Sequence, residues 1–309
     1  MTNFLNLIRW KNLVLIIIAQ LLLKYALLEP LKTQYGLATA MSGFSFFLLV
    51  FATVCIAAAG YIINDIEDVI ADKINKPNRI IIGKRITEKN ATTLFIALNF
   101  LGVVAGFFLT RAVDKQNLFP IFIVASALLY MYSTFLKRYV LVGNIVIAAL
   151  VALHILLVGI FDLLPVLTLE NAASQYFFLD LIRDYAIFAF MINLLRELVK
   201  DIEDIDGDYK MGIQTLPILI GRNRATKTVF FASLIPLMLI IFYLSNNLYS
   251  QPVALIYVLL LIIAPMIYAS IKTFGAEKKK DYKLISDVLK LVMLTGILSL
   301  LLFQFILIK

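Results

Sequence analysis

Long apolar runs separated by short polar segments dominate the chain. Each run has roughly the twenty residues that a helix needs to cross about 30 Å of hydrocarbon. Backbone in hydrocarbon must satisfy its own hydrogen bonds, and these runs are too long and too uniformly apolar for barrel strands, so they predict transmembrane helices. The nine predicted spans are 12–29, 42–63, 92–110, 119–136, 139–161, 179–199, 226–245, 252–272 and 286–308.

Composition supports an all-α polytopic membrane protein. Of 309 residues, 62% are hydrophobic and 16% are charged, whereas soluble domains are about half apolar and about one quarter charged. The single cysteine, Cys55, excludes a disulfide within the chain and a cysteine metal cluster. The net charge of +8 comes from loops between spans, which favours anionic lipid or substrate as partners and not nucleic acid.

Positive residues predict the orientation of the spans. They concentrate in the loops that follow spans two, four, six and eight, whereas the intervening loops carry few. Positive loops stay in the cytoplasm, so we expect a cytoplasmic N-terminus and an outward C-terminus. The charged run 277–283 is interpreted as a solvated connector. The clustered residues are Lys73, Lys76, Arg79, Lys84, Arg85, Lys89, Lys137, Arg138, Lys200, Lys210, Arg222, Arg224, Lys227, Lys272, Lys278, Lys279, Lys280 and Lys283.

An acidic motif occurs twice. Asp-Ile-Glu-Asp at 65–68, followed by Asp72, returns 136 residues later at 201–204, followed by Asp208. Each copy lies at the inner end of an even-numbered span. The pattern predicts one domain, 1–309, built from two parallel pseudo-repeats, about 1–138 and 139–309, that bring these helix ends together.

The spacing within each motif aligns its aspartates on one helical face, at i, i+3 and i+7. Six aspartates facing one cavity would raise each other's pKa values, so a cation is expected to compensate them. Oxygen ligands without histidine or cysteine favour magnesium or calcium over zinc, and magnesium often bridges carboxylates to phosphates. The predicted metal ligands are Asn64, Asp65, Asp68, Asp72, Asp201, Asp204 and Asp208.

Two facing carboxylate clusters suit a diphosphate that is held by more than one metal ion and neutralised by nearby lysines and arginines. If the organic group is allylic, loss of diphosphate yields a carbocation, which needs an apolar, aromatic pocket that excludes water. The chain has 23 phenylalanines and 14 tyrosines to build one. The alternative that these aspartates are only inner-face caps is disfavoured by their repetition in register.

At these residues the sequence resembles the UbiA-type superfamily of intramembrane prenyltransferases. The family's Asn-Asp-x-x-Asp-x-x-x-Asp motif is matched at 64–72, and its Asp-x-x-Asp-x-x-x-Asp motif at 201–208. The match covers nearly the whole chain, including the nine-span plan. The resemblance implies a helical bundle around a central cavity, magnesium held by both motifs, and transfer of a prenyl group from a prenyl diphosphate at the cytoplasmic face of the cell membrane.

Shorter segments extend this resemblance. Residues 9–12 resemble the entry to the family's first span, and the segment 132–138 resembles one whose lysine faces the diphosphate, although the tyrosine-to-lysine spacing is one residue longer here. The predicted catalytic residues are Lys137, Asp68 and Asp204. Asn193 is included in the predicted site because it lies two helical turns before Asp201. The predicted diphosphate contacts are Arg9, Asn12, Arg79, Tyr132, Asn193, Arg196 and Lys200.

The motifs do not specify the acceptor. Segments 75–79 and 196–204 resemble geranylgeranylglycerol-phosphate geranylgeranyltransferases, whereas Glu67 and residues 80–82 depart from that group. A lipid acceptor of this kind is expected, and an aromatic quinone precursor of the 4-hydroxybenzoate or dihydroxynaphthoate type is the main alternative. Two other classes of protein fit the acidic motifs less well. An ion-coupled transporter would place its acids near the midplane, and a phosphatidyl-alcohol transferase would carry an Asp-Gly-x-x-Ala-Arg motif.

Overall fold

Helices form most of the computed structural model, which describes residues 2–77 and 80–307. About 85% is helical, and within those residues the only strand-like pairing is an isolated bridge between Ile82 and Ile86. The all-α prediction is confirmed. The α-helices are α1 (Thr2–Leu7), α2 (Trp10–Leu21), α3 (Glu29–Tyr35), α4 (Gly43–Glu67), α5 (Val69–Asn75), α6 (Glu88–Ala112), α7 (Pro120–Thr134), α8 (Val142–Asp162), α9 (Ala172–Lys210), α10 (Leu216–Ile220), α11 (Arg222–Tyr243), α12 (Pro252–Val258), α13 (Ala264–Phe274), α14 (Lys279–Leu298) and α15 (Phe303–Leu307).

Local sequence signals fix where several helices begin and end. The Ser42 hydroxyl accepts a hydrogen bond from the Ser45 amide at 3.2 Å and caps α4. Thr87 caps α6 in the same way, through the Asn90 amide at 3.3 Å. Such caps satisfy amides that have no partner within the helix. Gly36, with φ of 60°, ends α3 in the left-handed conformation that glycine adopts without strain.

Eight helical stretches among the described residues are long and apolar enough to cross a membrane, and each overlaps a predicted span. The remaining predicted span, 179–199, lies within α9, which has charged residues on both sides of its apolar centre. The count of nine spans and the cytoplasmic N-terminus stay predictions. The eight stretches are Trp10–Tyr35, Gly43–Glu67, Glu88–Ala112, Gln116–Thr134, Val142–Val166, Arg222–Leu248, Pro252–Phe274 and Lys279–Ile306.

The long helix α9 connects the two parts of the apolar core. Its 39 residues span about 58 Å at 1.5 Å per residue, nearly twice the thickness of the hydrocarbon layer. Residues 178–186 pack into a core with α4 and α8, whereas residues 192–202 pack into a second core with α11, α13 and α14. The last turns of α9, from residue 200 onward, extend beyond the predicted span and carry the second acidic motif.

A buried ion pair joins the first predicted span to the end of α8. Lys24 is 2% exposed, and its ammonium lies 2.8 Å from a carboxylate oxygen of Asp162, which is fully buried. The same ammonium lies 2.8 Å from Glu29 and donates to the Met41 carbonyl at 3.1 Å. All three ammonium protons therefore have acceptors, which is what a buried charge requires.

Candidate active site

The first acidic motif lies where α4 meets α5. The helix is interrupted at Asp68, whose φ is −92° and ψ is 4°. The Asp68 amide nevertheless donates to the Asn64 carbonyl at 2.9 Å, and the Asp72 amide donates to the Asp68 carbonyl at 2.8 Å. Asn64, Asp68 and Asp72 therefore follow one another at helical spacing despite the interruption, and the Asn64 side-chain amide donates to the Asp68 carboxylate at 2.7 Å.

The second motif lies on an uninterrupted part of α9, and Asn75 ties it to the first. The Asn75 side-chain amide donates to the Asp204 carbonyl at 2.9 Å and accepts from the Gly207 amide at 3.1 Å. A Cβ at position 207 would overlap the Asn75 side chain and lie 2.9 Å from the Ala71 carbonyl oxygen. Glycine at 207 therefore allows α5 and α9 to approach closely, and the two motifs face each other.

Basic side chains pair with the first motif. The Lys137 ammonium lies 2.5 Å from an oxygen of Asp68, and Lys137 is 12% exposed. The Arg9 guanidinium lies 2.8 Å from an oxygen of Asp65 and stacks over the Tyr61 ring, 5.0 Å from its centroid. Both basic residues were predicted site residues, and the structure brings them to the aspartates.

Further groups contact the second motif and were missing from the predicted site. The Lys76 ammonium lies 2.5 Å from an oxygen of Asp204, with Lys279 at 3.9 Å from the other oxygen. Asn144 donates to Asp201 at 2.9 Å. Lys76 could have been found because it follows Asp72 by one helical turn. Lys279 belongs to the run interpreted as a connector, and only the position of α14 places it at the site.

Burial and repulsion act on two carboxylates of the second motif, Asp201 and Asp208. Burial, followed by the charges of Asp204 and Asp68, raises the pKa of Asp208 to about 7. Burial also raises the pKa of Asp201 well above its usual value, although the hydrogen bond from Asn144 partly offsets this. The expected repulsion among these aspartates is therefore present, and it favours a cation at the site.

The donor set fits magnesium. Among residues 2–77 and 80–307, no three carboxylate, histidine or cysteine side chains converge as a ready-made metal cage. Magnesium does not need one, since it commonly takes one or two carboxylates together with phosphates and water. One side-chain oxygen each of Asn64 and Asp204 is buried without a hydrogen-bond partner. Buried oxygens in this state are available for a cation.

A cavity of about 1080 Å³ opens beside the first motif. We call it the polar cavity. Apolar side chains, among them Phe122, Leu129 and Leu157, line its deeper part. Predicted site residues line its polar end: Arg9, Asn12, Asn64, Tyr132, Asn193, Arg196 and Lys200.

The predicted residues divide into two groups in space. Lys137 and the aspartates form the paired cluster at the helix ends, whereas Asn193, Arg196 and Lys200 lie on the cavity wall formed by α9. Arg79, also predicted to contact diphosphate, lies outside the described residues.

The profile of the UbiA prenyltransferase family matches residues 33–294. The chain belongs to this family. It is therefore a prenyltransferase embedded in a membrane through several spans. A relative from Korarchaeum cryptofilum named digeranylgeranylglyceryl phosphate synthase is 31% identical over 291 residues, which cover 91% of this chain and 94% of the relative.

Solved structures share the fold. One is described as "Structural and mechanistic insights into the biosynthesis of Digeranylgeranylglyceryl phosphate synthase in membranes". It is 25% identical to this UbiA-family chain, with a TM-score of 0.58, and the match covers 97% of this chain and 98% of that one. Another is a UbiA homologue from Archaeoglobus fulgidus bound to DMAPP and Mg2+, at 15% identity, 97% and 99% coverage and a TM-score of 0.57. The latter likeness concerns the fold alone.

Proposed function

We propose that this enzyme transfers a geranylgeranyl group from geranylgeranyl diphosphate to geranylgeranylglycerol phosphate and that the transfer requires magnesium. The observation that carries the proposal is the pair of facing acidic motifs, with their basic partners, at the polar end of a deep apolar cavity. Such a site suits a substrate with a diphosphate head and a long hydrocarbon chain.

Magnesium would be held by Asp68, Asp72, Asp204 and Asp208, with Asn64 as a neutral oxygen donor. When bound, it supplies positive charge that stabilises the diphosphate as a leaving group. Asp65 and Asp201 stay proposed as further ligands; they contact Arg9 and Asn144, just as Asp68 and Asp204 contact Lys137 and Lys76. The Archaeoglobus fulgidus homologue, which has the same fold, is bound to DMAPP and Mg2+.

In the proposed reaction, the bond between the first prenyl carbon and the diphosphate oxygen breaks, and its electron pair stays on diphosphate. The hydroxyl oxygen of the acceptor then bonds to that carbon, and its proton is released to water. The Lys137 ammonium stabilises the negative charge that grows on the leaving group. The apolar wall beyond Tyr132 excludes water from the allylic carbocation.

The acceptor is inferred from the relatives. Removing one geranylgeranyl group from the product in the name of the Korarchaeum cryptofilum relative leaves geranylgeranylglycerol phosphate. That relative matches nearly its whole length, which favours the same acceptor here over an aromatic quinone precursor.

The test is an assay of the purified protein in detergent with magnesium and labelled geranylgeranyl diphosphate. The acceptors are geranylgeranylglycerol phosphate, 4-hydroxybenzoate and dihydroxynaphthoate, each followed by product mass analysis. We expect one added geranylgeranyl group on the lipid alone, loss of activity with EDTA, and recovery with magnesium. Product from an aromatic acceptor alone would reject the proposed acceptor, and full activity in EDTA would reject the metal.

The orientation is proposed from the positive loops, with the acidic motifs at the cytoplasmic face. The test starts from a variant in which Cys55 is replaced by alanine, with one cysteine introduced at either Lys84 or Tyr249. Both positions are exposed. In intact cells, an impermeant maleimide should label position 249 and not position 84, and the reverse pattern would invert the orientation.

A further inference from the structure

A second group of cations lies along the wall that α9 and α14 form. The Lys290 ammonium donates to the Asn12 side-chain oxygen at 2.6 Å, and the charge of Arg196 acts on Lys290. Glu197 accepts from both neighbouring cations, from Lys200 at 2.6 Å and from Arg196 at 3.4 Å. None of these pairs involves the aspartates of the acidic motifs.

Positive charge exceeds negative charge in this group. Lys11 adds a further cation, and Asp287 on the exposed face of α14 adds a second carboxylate beside Glu197. Asn193 is 4% exposed, and its side-chain amide nitrogen is buried without a hydrogen-bond partner, as is Nε of Arg196. Both residues line the polar cavity. Unpaired buried donors beside excess positive charge suit an anion.

An apolar cavity of about 1050 Å³ lies about one helical turn from this group. It lies between α8, α9, α11, α12, α13 and α14, and we call it the apolar cavity. Val151 and His154 line both cavities. The helices that carry Arg196 and Lys290 also line the apolar cavity about one turn deeper, through Ile192 and Met293.

We propose that Arg196, Lys290 and Asn193 bind the phosphate of a lipid acceptor and that the apolar cavity holds the isoprenoid chain of that lipid. This inference rests on the proposed function, in which two isoprenoid chains must be bound at once. The polar cavity adjoins the acidic motifs through Asn64 and takes the chain of the donor. The apolar cavity then takes the chain of the acceptor.

Two other occupants are physically conceivable. The chain of the donor could pass from the polar into the apolar cavity beside His154, or an ordinary membrane lipid could fill the apolar cavity. The partners of the cations favour the acceptor, because Lys290 and Arg196 contact Asn12 and Glu197 and not the aspartates that would hold the diphosphate of the donor. Both alternatives are outcomes of the experiments below.

The first experiment tests the phosphate site with Lys290→Met. The acceptors are geranylgeranylglycerol phosphate and its phosphate-free alcohol, with geranylgeranyl diphosphate as donor. We expect the KM for the phosphorylated acceptor to rise about tenfold or more, while the KM values for the alcohol and for the donor stay unchanged. Lys280→Met, on the exposed start of α14, is the matched control. An unchanged acceptor KM, or a rise in the donor KM instead, would overturn the assignment.

The second experiment tests the chain site with Gly296→Leu. Gly296 lines the apolar cavity, and a Cβ at this position meets no atom within 4 Å, so the new side chain enters open space. We expect the KM for the C20 acceptor to rise about tenfold. The KM for an acceptor with a single dimethylallyl ether chain should equal that of the unaltered protein. Gly43→Leu, where a Cβ also meets nothing within 4 Å, is the control outside both cavities.

The outcomes separate this inference from the proposed function. Loss of donor affinity in Gly296→Leu would assign the apolar cavity to the donor chain. Unchanged kinetics together with release of a copurified phospholipid, seen by mass spectrometry, would assign it to a membrane lipid. Either result rejects the inference while lipid prenylation by the unaltered enzyme still supports the proposed function. No lipid prenylation by the unaltered enzyme would reject both.

Discussion

Replacing Lys137 with methionine removes one positive charge from the proposed leaving-group site and keeps the length of the side chain. The ammonium lies 2.5 Å from Asp68 and is 12% exposed, so water screens it only partly. At an effective dielectric constant of about 20, two unit charges about 4 Å apart interact by about 4 kcal/mol. Removal of a single donor to developing negative charge typically costs about 2.7–4 kcal/mol. We therefore expect turnover to fall about 100- to 1000-fold.

The effect should fall on turnover, because the charge on diphosphate grows as the carbon–oxygen bond breaks. The assay is steady-state kinetics with the donor varied at saturating acceptor and magnesium. Magnesium affinity should not weaken, since loss of Lys137 leaves Asp68 without its competing cation. Arg138→Met, in the same turn and exposed, keeps a positive charge in the loop and should retain turnover. Turnover within about twofold of the unaltered enzyme in Lys137→Met would refute the catalytic role.

Three further changes test separate parts of the structure. The pKa of Asp208 is raised to about 7, so protons compete with magnesium for this carboxylate at lower pH. Titration calorimetry should therefore show that magnesium affinity weakens by up to about tenfold per pH unit below pH 7 and changes little above pH 8. Lys24→Met leaves the fully buried Asp162 without its cation, and we expect a loss of about 3–5 kcal/mol in stability, seen as a lower unfolding temperature in detergent. Gly207→Ala places a Cβ against Asn75, which should separate the motifs and lower turnover by about tenfold or more in the prenyl-transfer assay.

Each of these expectations has a result that contradicts it. A magnesium affinity that is constant from pH 8 to pH 6 would mean that Asp208 does not compete for the metal. If Lys24→Met had the same unfolding temperature as the exposed variant Lys89→Met, the buried ion pair would not stabilise the protein. Gly275 has open space around its Cβ position, so Gly207→Ala should be worse than Gly275→Ala, and equal activity would argue against the close approach at Asn75.

The pattern of apolar runs predicted most of the fold, because a membrane permits few alternatives to a helix of about twenty residues. The interruption at Asp68 was not predicted, since the motif has the same spacing in both copies and only one copy lies where the chain turns into a second helix. The length of α9 was also missed. Its charged turns extend beyond the apolar run, and apolar periodicity does not indicate where such a helix ends.

The sequence predicted those site residues that belong to the two acidic motifs or to segments that resemble the family. Asp68 and Lys137 were both named, although their 2.5 Å contact depends on how two distant segments fold together. Lys279 and Lys290 carried no local signal, because a lysine at the start of a helix or within a span is usually a solvated or snorkelling group. Their contacts with the site arise from the packing of α14 against α9 and α2.

Prenyl transfer by Asp68→Ala and Asp204→Ala tests the two-motif metal site most directly. Each variant is assayed at saturating magnesium with geranylgeranyl diphosphate and geranylgeranylglycerol phosphate, and its folding is checked by the unfolding temperature. The two residues lie on different helices, α9 and the junction of α4 with α5, and each has its own lysine partner. We predict folded protein with no detectable product from either variant. Near-normal turnover by either variant would contradict the proposal that both motifs hold the metal and the diphosphate.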